Sequence, residues 1–175
     1  MKYTCEYNSP LGVLVLVSDG EALTALYNKN QKYYPNDLPK SDTKSILPIF
    51  KDTIKWLDMY FSKKNPNFIP NLAPKGTAFR ENIWKILCDI PLGEVITYGD
   101  VSKIIAKQMN LSTMSSQAVG GAVGHNPISI IIPCHRVVGV NGNLTGYAGG
   151  LDKKIKLLEI EGLDMNKFHL PKKNH

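Results

Sequence analysis

The sequence predicts two parts of different class. Residues 1–75 read as an α/β N-terminal domain, a small antiparallel sheet with one helix, and residues 76–175 as a mainly α C-terminal domain. Three observations carry this. Short β-prone runs separated by turn residues occupy the first 27 positions, a stretch with Pro66, Pro70 and Pro74 breaks every periodicity at Lys63 to Gly76, and helical spacing dominates beyond it.

The strands come first. Tyr3 to Tyr7, Gly12 to Ser18 and Ala22 to Tyr27 are separated by Asn8-Ser9-Pro10 and by Asp19-Gly20, the punctuation of an antiparallel hairpin or meander. Residues 28–42 are polar and hold two prolines, so they read as loop. Ile46, Phe50, Ile54, Leu57 and Phe61 then recur at helical spacing, with Pro48 tolerable only near the helix start.

After the proline-rich junction, Thr77 can cap a helix whose apolar face is Phe79, Ile83, Ile86 and Leu87 and which ends before Pro91. Val95 to Tyr98 is short and extended. Thr97 with Asp100 three residues later has the form of a capping box, opening a helix with Val101, Ile104 and Ile105 on one face. A polar connection, Lys107 to Met114, leads to Ser115 or Ser116 as the cap of a helix over Gln117 to Val123. Helix, short connection, helix is helix-turn-helix spacing. The second helix is unusual, because Ala118, Gly120, Gly121, Ala122 and Gly124 give it poor intrinsic propensity, each glycine costing about 1 kcal/mol relative to alanine. Small side chains there mean either close packing within the protein or close approach of the helix to an outside surface.

A chain of 175 residues with 43% hydrophobic content can bury a substantial core. The formal net charge of +6 divides evenly: residues 1–75 carry 10 Lys against 7 acids, and residues 76–175 carry 9 Lys and 2 Arg against 8 acids. No basic arm stands out, so a polyanion footprint would have to be assembled by folding, and the pairs Lys63-Lys64, Lys153-Lys154 and Lys172-Lys173 read as solvated surface. Cys5, Cys88 and Cys134 are an odd set at spacings that match no disulfide or zinc pattern. A reducing compartment follows. The apolar run Val13 to Val17 is too short for a signal segment or a membrane span, so the expected location is the cytoplasm.

The most specific feature is Ile131 to Gly139, where Cys134 stands between Pro133 and His135-Arg136. A lone cysteine among apolar residues is ordinarily a packed small hydrophobe. A neighbouring imidazole or cation is one of the few means of making a thiol nucleophilic, which raises His135 and Arg136 as activators.

Pro91 to Gly99, Ala118 to Ala122, Asn126-Pro127, Ile132 to Val138, Gly146 to Leu151, Leu157-Leu158 and Glu161-Gly162 together resemble the ordered motifs of the 6-O-methylguanine-DNA methyltransferases. The resemblance runs unbroken over roughly residues 77–162. It implies an RNase H-like sheet in the first domain and a winged helix-turn-helix-like DNA-binding motif in the second. It further implies single-turnover repair, in which an alkyl group on the 6-oxygen of guanine, or on the 4-oxygen of thymine, moves irreversibly to Cys134. His135 would reach the thiol through a water, Glu161 would orient the imidazole, and Tyr98 would donate to the flipped base. The carbonyls of Cys134 and Val137 would accept from the exocyclic amine, with Tyr147 beside the base and the Ala148 amide donating to the 6-oxygen. Asn126 would tie the helix-turn-helix to the cysteine segment. Gln117, Ala118, Gly120, Gly121, Ala122 and Arg136 would face DNA, the helix entering the minor groove and the lesion leaving the stack.

The implied partner is double-stranded DNA containing alkylated guanine, bound by a monomer with no cofactor and no membrane. Three departures stand out. Gln117 replaces the family's usual arginine, which loses a cation and its planar stacking. The connection Lys107 to Met114 is a few residues longer than the common form. Cys5 has no nearby Cys or His partner for the zinc that some relatives bind, so no metal is expected. Two competing readings remain: a non-catalytic lesion-binding relative, which would lack the cysteine, and a Cys-His hydrolase, which would leave the helix-turn-helix unexplained.

Overall fold

A computed structural model gives the fold and describes residues 2–31, 34–40 and 47–171. Ile46, residues 32, 33, 41 and 42 of the expected loop, and the Lys172-Lys173 pair lie outside the described residues. The chain divides into two compact units, Met1–Lys75 with Pro127–Ile131, and Gly76–Asn126 with Ile132–His175. Residues 127–131, expected in the second domain, are therefore built into the first unit.

In the first unit β1 (Tyr3–Ser9), β2 (Gly12–Ser18) and β3 (Leu23–Asn28) form an antiparallel sheet in the order β1-β2-β3. The turn between β2 and β3 is set by side chains. Asp19 Oδ1 accepts from the amides of Glu21 and Ala22, each at 2.9 Å, and Gly20 supplies the positive φ of 110°. β2 is buried on both faces: Val15 and Val17 cluster with Ala25, Tyr27, Tyr34 and Leu38 on one side. On the other, Tyr7 lies opposite Leu14 in the register and donates from its hydroxyl to Asp58 at 2.6 Å, so this face meets α1 (Pro48–Phe61).

Pro48 sits in the first turn of α1, where its missing N–H has no intrahelical partner to lose. The buried stripe of α1 is rotated from the expected one: Ile49, Phe50, Thr53, Trp56, Leu57 and Tyr60 are buried, while Ile54 and Phe61 are only partly so. Two causes are visible. Trp56 and Tyr60 stack at 5.2 Å, and Thr53 satisfies its hydroxyl on the Ile49 carbonyl at 2.8 Å, so a polar residue can be buried. The segment 127–131 joins this unit through Leu26 N donating to Pro127 O (2.9 Å) and Ser129 N to Leu26 O (3.2 Å). Within it Ile130 takes a φ of +72°, a strained conformation for a β-branched residue.

The second unit contains α2 (Ala78–Cys88), β4 (Ile96–Thr97), α3 (Tyr98–Gln108), α4 (Ser116–Gly124), β5 (Val137–Val138) and α5 (Leu151–Ile160). Thr77 caps α2 by accepting from Arg80 N, and Trp84, absent from the expected face, is buried with its indole N–H on the Ala122 carbonyl at 2.8 Å. The Thr97-Asp100 capping box is complete: Asp100 N donates to Thr97 Oγ1 at 3.0 Å and Thr97 N to Asp100 Oδ2 at 3.1 Å. Because Thr97 is the cap, Tyr98 is the first helical residue of α3 rather than the end of an extended run. Ile104, expected on the buried face, is 41% exposed, and Ser102 and Ala106 are buried with Val101 and Ile105.

Ser115 caps α4, its hydroxyl accepting from Ala118 N at 3.3 Å. β4 and β5 pair in parallel over two residues, Ile96 with Val137 and Thr97 with Val138. Beneath the loop that follows β5, Val138, Leu144 and Leu158 form a cluster with Val95, Leu163, Met165 and Phe168. Among the described residues no helix is long and apolar enough to cross a membrane, and no group of three His, Cys, Asp or Glu is placed to hold a metal ion.

The capping box fixes where α3 starts and so where Tyr98 stands. Thr97→Ala is expected to lower stability by about 1 kcal/mol. Urea unfolding at pH 7 measures this, and a midpoint indistinguishable from the parent would show that the cap contributes nothing.

Candidate active site

The local chain path delivers Cys134. Pro133, with φ −83° and ψ 65°, makes an inverse γ-turn closed by Cys134 N donating to Ile132 O at 2.8 Å. The proline ring holds φ there, and the chain passes directly into the 3-10 turn Cys134–Arg136, all three residues buried. Asn126, the last residue before the 127–131 excursion, donates from its side-chain amide to Ile132 O at 2.8 Å, the first residue after it. One amide thereby pins both ends of the excursion. It also hydrogen-bonds the Cys134 thiol.

Burial pushes the Cys134 thiol up from its ordinary value, while the Asn126 hydrogen bond and then the Lys154 charge pull the other way. Cys134 therefore rests as a thiol with stabilisers for the thiolate already in place. Lys154 is the principal residue that the sequence reading missed. It is 0% exposed and donates from Nζ to Val137 O at 2.7 Å and to Thr145 O at 3.1 Å. Burial brings its ammonium down to about 8, against the raising influence of Cys134. A signal was available in the spacing, because Lys154, Leu157, Leu158 and Glu161 fall at i, i+3, i+4 and i+7 on one helix face. Both charged ends of that stripe are buried.

His135 is fully buried, and its Nε2 donates to Glu161 Oε2. In the neutral ring this tautomer leaves Nδ1 as the basic lone pair, and Nδ1 is a buried atom with no hydrogen-bond partner among the described residues. Burial holds the imidazole below the usual histidine value despite the raising influence of Glu161. The second carboxylate oxygen accepts from Arg136 Nε at 2.7 Å and from Gly93 N at 3.1 Å. Burial alone would push the Glu161 carboxyl up. The hydrogen bond and charge of His135, followed by those of Arg136, outweigh it and bring it to about 2. With a neutral imidazole, the full charge opposite this carboxylate is the Arg136 guanidinium.

Arg136 was expected against DNA. It is 7% exposed, with Nε on Glu161 and Nη1 on the Ile90 carbonyl at 2.7 Å, so its guanidinium is committed inside the protein. Tyr98 is half-buried, and its hydroxyl accepts from Thr145 Oγ1 at 3.0 Å. Burial first, and then the proximity of Cys134, raise its phenol, which the Thr145 hydrogen bond partly offsets. Tyr147 and Ala148 are half-buried in the loop before α5, and Val137 is fully buried with one lone pair of its carbonyl taken by Lys154.

Of the residues expected on DNA, Gln117 and Ala118 are exposed on α4, and Gly120 and Gly121 are half-exposed. Ala122 is not available: it is 1% exposed, and its carbonyl accepts from the Trp84 indole N–H. A Cβ built on Gly120, Gly121 or Gly124 would meet nothing within 4 Å. Packing among the described residues thus gives no reason for these glycines.

Models of known families match both parts of the chain. The 6-O-methylguanine DNA methyltransferase DNA binding domain matches residues 78–163, and the ribonuclease-like domain of the same methyltransferases matches residues 1–74. The chain belongs to the 6-O-methylguanine-DNA methyltransferase family. It is 44% identical to a methylated-DNA–protein-cysteine methyltransferase of Haemophilus influenzae, over 91% of this chain and 86% of that protein. A methyltransferase of the same name from Methanosarcina acetivorans is 40% identical over 91% and 98% of the two chains. Among solved structures, Mycobacterium tuberculosis OGT in complex with DNA superposes with a TM-score of 0.78 at 36% identity, covering 95% of this chain and 94% of that one.

The sign of the Glu161 shift gives a pH dependence. A carboxyl depressed from 4.5 to about 2 contributes stability that is complete above pH 4.5 and is lost as pH falls towards 2. Glu161→Gln is expected to be less stable at neutral pH and to lack this part of the acid dependence. Tm profiles with equal slopes below pH 4.5 in both proteins would contradict it.

Proposed function

We propose that the protein repairs DNA by accepting an alkyl group from the 6-oxygen of guanine onto Cys134, once per molecule. The observation that carries this reading is the buried thiol on which the Asn126 hydrogen bond and the Lys154 charge act, next in sequence to an imidazole whose Nε2 is held by Glu161 and whose Nδ1 has no hydrogen-bond partner among the described residues. His135 takes the thiol proton at Nδ1 through an intervening water. The sulfur attacks the alkyl carbon, the carbon–oxygen bond breaks, and the electron pair stays on the guanine. Tyr98 supplies a proton to the leaving base, and the proton held by His135 restores the phenol. The product is a thioether, which has no comparable leaving group, so the site does not turn over.

The lesion is inaccessible inside the duplex and is flipped out, with α4 in the minor groove. The open glycines support that placement, since each weakens the helix by about 1 kcal/mol and serves no internal contact. Gln117 stands where the family's arginine would fill the gap. The Ala148 amide donates to the 6-oxygen, and the carbonyls of Cys134 and Val137 accept from the exocyclic amine. One chain supplies the whole constellation, so a monomer suffices, and three free thiols suit a reducing cytoplasm.

Incubation with a duplex containing methylated guanine is expected to add one methyl group to the Cys134 peptide and no more, and Cys134→Ala to bind the lesion without gaining mass. Tight binding with no adduct on the parent protein would favour the lesion-binding alternative, and repeated turnover would favour a hydrolase. Gly121→Ala is expected to stabilise the fold by up to about 1 kcal/mol while weakening duplex binding at fixed salt. Unchanged binding would remove α4 from the groove.

A further inference from the structure

Thr145 joins two parts of the site that the chemistry uses separately. Its hydroxyl donates to the Tyr98 hydroxyl at 3.0 Å, and its carbonyl accepts from Lys154 Nζ at 3.1 Å. Lys154 in turn bonds Val137 O, and its charge acts on the Cys134 sulfur. The loop holding Thr145 is fixed from below. Leu144 is buried among Val138 and Leu158, and its amide donates to His169 O at 2.8 Å in the C-terminal segment. His169 N donates back to Gly142 O at 3.0 Å, and a Cβ on Gly142 would lie 2.2 Å from Lys167 O, so the segment seats directly on the loop.

A phenol carries one proton and can donate it in one direction only. If Tyr98 spent that proton on a neighbouring acceptor, none would remain for the leaving guanine. When Thr145 is the donor of this bond, it occupies the lone-pair side of the phenol and leaves the Tyr98 O–H free for the base. We propose that Thr145 is a positioning residue of the transfer reaction: its hydroxyl directs the Tyr98 proton to the departing base, while its carbonyl holds the Lys154 ammonium at the thiol. This rests on the reading of Tyr98 as the proton donor. A hydroxyl is needed for the first task and only the main chain for the second, so the two can be separated by substitution.

Thr145→Val keeps the β-branched shape and the carbonyl and removes the hydroxyl; Thr145→Ser restores it. Single-turnover methyl transfer from a methylated duplex at saturating protein is expected to slow about tenfold in Thr145→Val, with lesion-duplex Kd unchanged, and to stay near the parent rate in Thr145→Ser. Alkylation of Cys134 by iodoacetamide, whose leaving iodide needs no proton, is expected to proceed at the parent rate in Thr145→Val. Thr145→Val combined with Tyr98→Phe is expected to be no slower than Tyr98→Phe alone. A parent-like transfer rate in Thr145→Val alongside a slow Tyr98→Phe overturns the role of Thr145 and leaves that of Tyr98 standing. Equal slowing with iodoacetamide overturns it in favour of an effect on the thiol. A parent-like Tyr98→Phe overturns both, and failure of the parent protein to take up methyl removes the function itself.

Discussion

The buried carboxylate of Glu161 is the constraint around which the second unit is organised. Three stretches of chain meet on it: the turn at Ile90 to Gly93, the Cys134–Arg136 turn, and the end of α5. It stands at the C-terminus of that helix, where the macrodipole disfavours an anion, and it is 8% exposed. Removing a carboxylate from water costs several kcal/mol unless it is paired and hydrogen-bonded. Here Oε2 accepts from the imidazole, and Oε1 from a guanidinium and a main-chain amide. The same bonds that make the burial tolerable fix the His135 tautomer and therefore which nitrogen is basic. A position unfavourable to an isolated glutamate thus becomes the device that aims the imidazole.

α4 shows the opposite relation between stability and role. Its buried residues, Val119, Ala122 and Val123, hold it to the unit, and its cap at Ser115 is in place. Its glycines lie in open space, where alanine would be accommodated by the fold at lower conformational cost. A helix kept weaker than its own packing requires is explained by what must come close from outside. For a chain matched over this region by a DNA binding domain, DNA is the surface that would come close.

Local chemistry was legible in the sequence, and long-range chemistry only in part. Thr77, Thr97 with Asp100, and Ser115 announced three helix starts because a cap is decided within four residues. The motif order brought Cys134, His135, Glu161, Tyr98 and Asn126 together on paper, and the structure places Asn126 and Glu161 on bonds to the cysteine turn. Arg136 and Lys154 were misread for one reason. A charged residue is ordinarily solvated or facing a polyanion, and only the partners contributed by distant segments, Glu161 and Ile90 for one and Val137 and Thr145 for the other, make burial possible. The α1 stripe shifted because Trp56 and Tyr60 stack, a preference that periodicity counted on aliphatic residues does not register. The positive φ of Ile130 has no sequence signal at all, since a β-branched residue argues for extended chain.

The charges of the site also bear on how a buried centre can carry out the proposed reaction. At rest Lys154 and Arg136 are positive, Glu161 is negative, and His135 and Cys134 are neutral. Moving the thiol proton to His135 changes no net charge, and the attack then converts a thiolate into a neutral thioether while the base departs with the electron pair. The proton from Tyr98 neutralises the base, and the proton on His135 restores the phenol. The sum is one proton moved from sulfur to guanine, with every other group as it began. In a site from which water is largely excluded, a change of net charge would carry the desolvation penalty of an unpaired ion. The proposed relay would avoid that penalty by keeping the net charge constant, with the phenol and the imidazole as proton carriers and the Lys154 ammonium opposite the transient thiolate, and a residue such as Thr145 that bonds both the phenol and the ammonium would then have more influence than its own chemistry suggests.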